Sequence, residues 1–115
     1  MIYGIGVDII EVERIQSLAE KNPRFLTRIF TETEITYCTK MKNKYQHLAA
    51  RFAAKEAFFK AIGRKINWTD IGIKNLPSGK PVLEILCEEK FPFKKADVSI
   101  SHLKVYAIAT VILSS

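Results

Sequence analysis

Cysteine is scarce in this chain. Cys38 and Cys87 are the only two, too few for a disulfide framework and without metal-ligand spacing, so reduced thiols are expected. No apolar run approaches the ~20 residues of a membrane-spanning helix. The stretch Met1 to Asp8 lacks the basic segment and cleavage site of a signal peptide, and a cytoplasmic location is the expectation. Repeats, linkers and low-complexity tails are also missing. Residues 1–115 therefore read as one domain, long enough to bury a core without staples. The most informative scarcity is local. Between Lys40 and Lys65 the only acid is Glu56, against eight bases; this segment holds a net +7 in a chain of +6, and everything else sums to −1. A polyanion is the natural partner: nucleic acid, a nucleotide with several phosphates, or an acidic protein. Solubility is the plainer account of the same charge.

Within that basic segment lies the strongest local signal, Arg51-Phe52-Ala53-Ala54-Lys55-Glu56-Ala57-Phe58-Phe59-Lys60. It has no proline or glycine, and its alanines and phenylalanines leave it apolar around most of a helical circumference. A helix is expected from about Tyr45 to Ile62, stopped by Gly63. A carboxylate and an ammonium on a mostly buried helix need partners. Glu56 four residues before Lys60 is the favoured orientation for a helical ion pair. On pattern alone, a structural salt bridge outweighs a site.

Around this helix the periods change in order. Ile2 to Ile10 reads as a strand whose only charge, Asp8, sits among Ile5, Val7, Ile9 and Ile10. Gly4-Ile5-Gly6 lacks the third glycine of a dinucleotide fingerprint, and close backbone packing is the better account. Glu11 to Glu20 has amphipathic spacing, Arg24 to Phe30 forms a second short helical piece, and Thr31 with Glu34 makes a capping box for a third. After Gly63, strands are expected around Asp70–Lys74 and Val82–Leu86, joined by the turn Leu76–Pro81. A hairpin is expected from Ala96–His102 and Val105–Leu113. One strand, several helices and a run of strands predict an α+β fold, an antiparallel sheet packed on a long central helix.

Asp8 and Glu56 are the two acids in apolar surroundings. Two carboxylates brought together from a strand and a helix suit magnesium, which keeps several waters and is often completed by substrate phosphates. Lysines on the same helix would face those phosphates. Ser99-Ile100-Ser101-His102 has no nucleophile-elbow glycines and does not read as a serine hydrolase. His47 is isolated.

Gly4-Ile5-Gly6-Val7-Asp8, the Arg51–Lys60 stretch, Gly79-Lys80-Pro81, and Ser99-Ile100-Ser101-His102 with Tyr106-Ala107 together resemble the holo-acyl-carrier-protein synthases, small bacterial members of the 4′-phosphopantetheinyl transferase superfamily. The resemblance spans essentially the whole chain. It implies transfer of the phosphopantetheine arm of coenzyme A to a serine of an apo acyl carrier protein, with release of adenosine 3′,5′-bisphosphate, in fatty acid biosynthesis. By matching positions, Asp8 and Glu56 would hold magnesium, and Lys60 would hold phosphate and steady the leaving group. Arg51 and Lys55 would help bind coenzyme A, and Gly79, Lys80, Pro81, Ser101 and His102 would line the nucleotide pocket. Arg14, Arg24 and Arg28, with Phe25 as an apolar anchor, would dock the acidic carrier. A homotrimer with sites between subunits is also implied. The serine proton needs an acceptor, and Glu56, directly or through a metal-bound water, is the hypothesis for it.

Two departures stand out. The family commonly carries a Gly-Thr-Gly segment after the long helix, where this chain has Gly63-Arg64-Lys65. Leu103 replaces the small polar or acidic residue often found after the histidine. A nucleic-acid-binding module and a magnesium-dependent phosphohydrolase are the competing classes, though no RNA-binding aromatic motif, zinc framework or helix-turn-helix supports the first.

Overall fold

A computed structural model describes all of residues 1–115. Its elements run β1 (Ile2–Glu11), α1 (Val12–Lys21), α2 (Phe25–Ile29), α3 (Glu32–Thr39) and α4 (Lys44–Ile62). A 3-10 turn (Trp68–Asp70) leads into β2 (Ile71–Asn75), β3 (Pro81–Ile85), β4 (Lys95–His102) and β5 (Tyr106–Ser114). The long helix α4 starts and stops where its composition says it should. Gly63 takes the left-handed conformation (φ 82°) and donates its N–H to the Phe59 carbonyl at 2.9 Å, closing the helix as only a residue without Cβ does cheaply. Leu48, Ala49, Ala50, Ala53, Ala54, Ala57, Phe58 and Ala61 are all buried, confirming a helix enclosed on most sides. The capping box also forms. Thr31 Oγ1 accepts from the Glu34 N–H at 3.2 Å, and Glu34 Oε1 accepts from the Thr31 N–H at 2.8 Å.

All strand pairings are antiparallel, in two sheets: β1-β5-β4, and the separate hairpin β2-β3. The single expected sheet is thus two, with β3 and β4 unpaired with each other and joined by an irregular connection that contains Pro92. Phe91 and Phe93 turn inward instead, each with its ring centroid 6.0 Å from that of Phe58.

The glycines of β1 set how the large sheet meets α4. A Cβ on Gly4 would lie 2.2 Å from the Ala61 carbonyl oxygen, and one on Gly6 would lie 1.9 Å from that of Ala57. Strand and helix backbones touch, with alanine on one side and nothing on the other. Each two-residue step of β1 therefore matches about one turn of α4. Val98, Ala107, Ala109, Val111 and Leu113 complete the buried side of this sheet. Its other face is bare: Ile5 is 61%, Val7 52%, Ile9 61%, Tyr106 46% and Ile108 39% exposed, an apolar face with no cover within the chain. No helix is long and apolar enough to cross a membrane.

Candidate active site

Asp8 follows Gly6 by two residues and shares its face, so the strand–helix match carries it to the level of the α4 turn that bears Glu56. Lys60 Nζ lies 3.2 Å from Asp8 Oδ1 and donates to the Val7 carbonyl at 3.0 Å. Glu56 is matched instead with Lys65, Nζ to Oε1 3.6 Å. The Glu56–Lys60 bridge that pattern alone favours, and that the family resemblance argues against, is absent. Lys60 turns to the strand because the close approach of β1 brings a carboxylate and a carbonyl into its reach. Both carboxylates are mostly sheltered, while both lysines are more than half exposed.

No cluster of three acidic, histidine or cysteine side chains exists in the molecule. The donor set here is two hard carboxylates at one level of the strand–helix seam, each already attracting a cation. That set fits a magnesium ion that takes its remaining ligands from water and substrate phosphate, and does not fit a closed all-protein cage.

A second constellation lies elsewhere on α4. Arg51 is 3% exposed; its guanidinium donates to the Asn75 side-chain carbonyl and to the His47 carbonyl (3.2 Å), and stacks 4.6 Å from the Tyr37 ring centroid. Its Nε is buried without a partner. A cavity of about 270 Å³ opens there, walled by Tyr37, His47, Arg51, Asn75, Pro81 and His102, with Gly79 at its edge. Gly79 is held in a left-handed turn (φ 92°), and its carbonyl accepts from Asn75 Nδ2 at 2.8 Å. His102 Nδ1 sits 2.8 Å from Gln46 Oε1, and its ring centroid is 5.1 Å from that of His47.

The structure thus joins Arg51, Gly79, Pro81 and His102 as expected, but it separates three other residues from their expected roles. Lys55 is fully buried, 2.7 Å from Glu34 Oε1, and donates to the Ile29 and Trp68 carbonyls at 2.8 and 2.9 Å. Three acceptors consume its three protons, so it ties elements together and contacts no ligand. Burial, more than Glu34 restores, holds its pKa below the ordinary lysine value. Ser101 is exposed on the outer sheet face, opposite its neighbour His102, as alternation along a strand requires. Phe25 is buried against Phe30, so it is core and not a docking anchor. Arg14, Arg24 and Arg28 are exposed, and Lys80 is too. The exposed apolar side chain beside Arg14 is Leu18, one turn on along α1.

Sequence reasoning missed Asn75, Tyr37 and His47. A signal for His47 existed: it precedes Arg51 by four residues and shares its helical face. Cys38, buried behind Arg51, has its thiol pushed up to about 11 by burial and is inert at neutral pH.

The two constellations face different ways. At 3.6 residues per turn, Arg51 and Glu56 point about 140° apart around α4. No cavity of the chain takes lining from Asp8, Glu56 or Lys60.

A model of the 4′-phosphopantetheinyl transferase superfamily matches residues 4–111. The holo-[acyl-carrier-protein] synthase of Protochlamydia amoebophila is 47% identical over 122 residues, covering all of both chains. The chain belongs to the holo-acyl-carrier-protein synthases of that superfamily. The Bacillus subtilis synthase is 46% identical over 119 residues, covering 98% of this chain and 96% of its own. Among solved structures, the Bacillus anthracis synthase in complex with CoA (3′,5′-ADP) superposes with a TM-score of 0.87 at 39% identity, over 100% of this chain and 99% of that one. The Neisseria meningitidis synthase does so with a TM-score of 0.87 at 32% identity, over all of both. The α+β architecture described above is therefore that of the synthase family.

Proposed function

We propose that this chain transfers the 4′-phosphopantetheine arm of coenzyme A to a serine hydroxyl of an apo acyl carrier protein and releases adenosine 3′,5′-bisphosphate. The observation that carries the reading is that Asp8 of β1 and Glu56 of α4, the two elements of the tight seam, are both mostly sheltered and each faces a lysine, Lys60 and Lys65. The near-complete match to synthases, one of them solved with coenzyme A, supports it.

Attack of the serine oxygen on the β-phosphorus forms one P–O bond and breaks the bond to the bridging oxygen of the pyrophosphate. Asp8 and Glu56 would hold magnesium, which would supply charge neutralisation for the pyrophosphate. Lys60, anchored by Asp8 and the Val7 carbonyl, presents a fixed positive charge to the leaving phosphate. The Glu56 carboxylate accepts the serine proton, its backbone immobilised in the middle of a buried helix. Arg51, Gly79, Pro81 and His102 receive the nucleotide; Lys80, exposed beside them, contributes charge.

A ligand that uses both constellations must meet them from opposite sides of α4, which supports assembly of each site from two chains. The bare apolar sheet face supplies the contact, and a homotrimer closes such a heterologous arrangement. Arg14, Arg24 and Arg28, with Leu18, form the docking surface for an acidic carrier. The reading places one transferase domain over residues 1–115 and fits a cytoplasmic setting with reduced thiols.

Incubation with coenzyme A, magnesium and apo carrier should raise the carrier mass by one phosphopantetheine, and Asp8→Ala should abolish the gain. Hydrolysis of coenzyme A with no carrier product would identify a phosphohydrolase instead. Arg28→Glu should weaken carrier binding at least fivefold, or about 1 kcal/mol, and leave coenzyme A affinity intact. Loss of both together would remove the docking assignment.

A further inference from the structure

The segment that follows α4 holds a positive charge for which the proposed chemistry has no use. Gly63 turns the chain in its left-handed conformation, and Arg64 pins the exit. The Arg64 guanidinium pairs with Glu89 and lies 5.7 Å over the Phe91 ring. From there Lys65 reaches back to α4. Its ammonium sits 3.6 Å from Glu56 Oε1 and 5.2 Å from the ring centroid of Trp68. That indole is fixed in turn, stacked on Phe52 and edge-on to Phe59, each at 4.9 Å between centroids. The lysines beside the two carboxylates are therefore held differently. Lys60 keeps the Val7 carbonyl whatever Asp8 does. Lys65 has Glu56 and the indole face as its partners, and 66% of its side chain is exposed. It also stands in Gly63-Arg64-Lys65, where this chain departs from the family's Gly-Thr-Gly, so the family pattern does not account for it.

We infer that Lys65 is a tethered counter-ion of Glu56, which competes with a divalent cation there and yields to it when coenzyme A binds. The inference rests on the proposed function, in which Glu56 holds magnesium beside the pyrophosphate. An ammonium and a metal ion drawn to one carboxylate repel each other, so each weakens the other's hold. Without coenzyme A, the displaced ammonium exchanges a carboxylate for water and the indole face alone. With it, the pyrophosphate brings fresh anionic oxygens within the reach of a long, exposed side chain, and the ammonium moves to them. Lys65 thereby enlarges the coupling between metal and coenzyme A, and by linkage each tightens the other by the same factor. No covalent bond is made or broken in this exchange.

The test titrates magnesium chloride into the full chain in its native assembly, with and without coenzyme A. Ionic strength is held constant because the pair is exposed. Calorimetry reads the affinity. Trp68 is the only tryptophan, so its emission reads the departure of the ammonium from the ring. Lys65→Gln should tighten magnesium binding in the absence of coenzyme A about threefold, as an exposed ion pair allows. With coenzyme A present, that difference should close or reverse. Magnesium should shift the Trp68 emission of the parent and leave that of Lys65→Gln unchanged. Lys65→Arg, which keeps the charge, should behave as the parent in both readouts. Equal magnesium affinity of parent and Lys65→Gln, or the same emission change in both, would overturn the role of Lys65 and leave the transferase reading standing. Magnesium binding unaltered by both Asp8→Ala and Glu56→Gln would overturn the two together.

Discussion

Lys55 sits one residue before Glu56, yet its chemistry is the opposite. Its ammonium is enclosed with the Glu34 carboxylate, which also accepts from the Ile73 N–H at 2.9 Å and caps its own helix through Thr31. One carboxylate therefore joins α3, α4 and β2, while Lys55 adds the end of α2 and the turn before β2 through the Ile29 and Trp68 carbonyls. Removing one partner of such a pair strands the other without water. Lys55→Met should lower stability by about 3–5 kcal/mol, and Lys55→Met with Glu34→Leu should recover part of that loss, since the lone charge is gone. Urea midpoints of the three proteins measure it. A single variant as stable as the parent would show that the pair is solvated. The Glu34 cap was readable in sequence because capping is local. Its second role was not, because Lys55 lies 21 positions away and nothing in its own stretch distinguishes a lysine turned inward from one turned out.

At the scale of elements, the seam between β1 and α4 decides how Asp8 is set against the helix that bears Glu56 and Lys60. Gly4 and Gly6 allow the Ala61 and Ala57 carbonyls to lie against the strand backbone, and that contact has no flexible side chain to yield. Gly6→Ala should cost about 1–3 kcal/mol or more, since backbone must move. The displacement should also loosen the Lys60–Asp8 contact and reduce turnover beyond the loss of folded protein. Gly72→Ala provides the contrast. Its added Cβ would meet no backbone, only the exposed Leu86 Cδ1 at 3.2 Å and, at ordinary contact distance, the Thr31 side chain (3.7 and 3.9 Å), and should cost less than about 1 kcal/mol. Thermal melts rank the two, and the reverse order would refute the seam. Close packing at Gly4-Ile5-Gly6 was legible from two glycines in an apolar strand. The depth at which Asp8 faces α4 required knowing which helix turn each glycine touches.

For the molecule as a whole, the uncovered face of β1 and β5 is the largest unsatisfied feature. Ile5 lies on the face of β1 opposite Asp8 and α4, and 61% of it is exposed. If the face joins subunits, Ile5→Glu should yield monomers by sedimentation and lower turnover at least tenfold, a loss of about 1.4 kcal/mol or more. Binding of phosphate-bearing nucleotide to the cavity beside Arg51 should weaken far less. A wild-type monomer with full turnover would remove the two-chain site. The two-chain proposal accords with the cavities: none in the single chain takes lining from Asp8 or Glu56, and Glu56 lies about 140° around α4 from Arg51 and its cationic pocket.

The sequence by itself determined the elements, the buried long helix, its glycine stop, the capping box, close backbone packing at Gly4 and Gly6 and the basic segment, because each depends on spacing within a short stretch; the family was legible from several such stretches in order along the chain. Only the tertiary structure decided what the charges do. Lys60 left Glu56 for Asp8, Lys65 took its place, Lys55 went into the core, and Ser101 turned from His102 to the other face. A charged side chain several bonds long selects its partner from whatever the packing brings within a few ångströms, and that choice is made between elements, across distances that local pattern does not record.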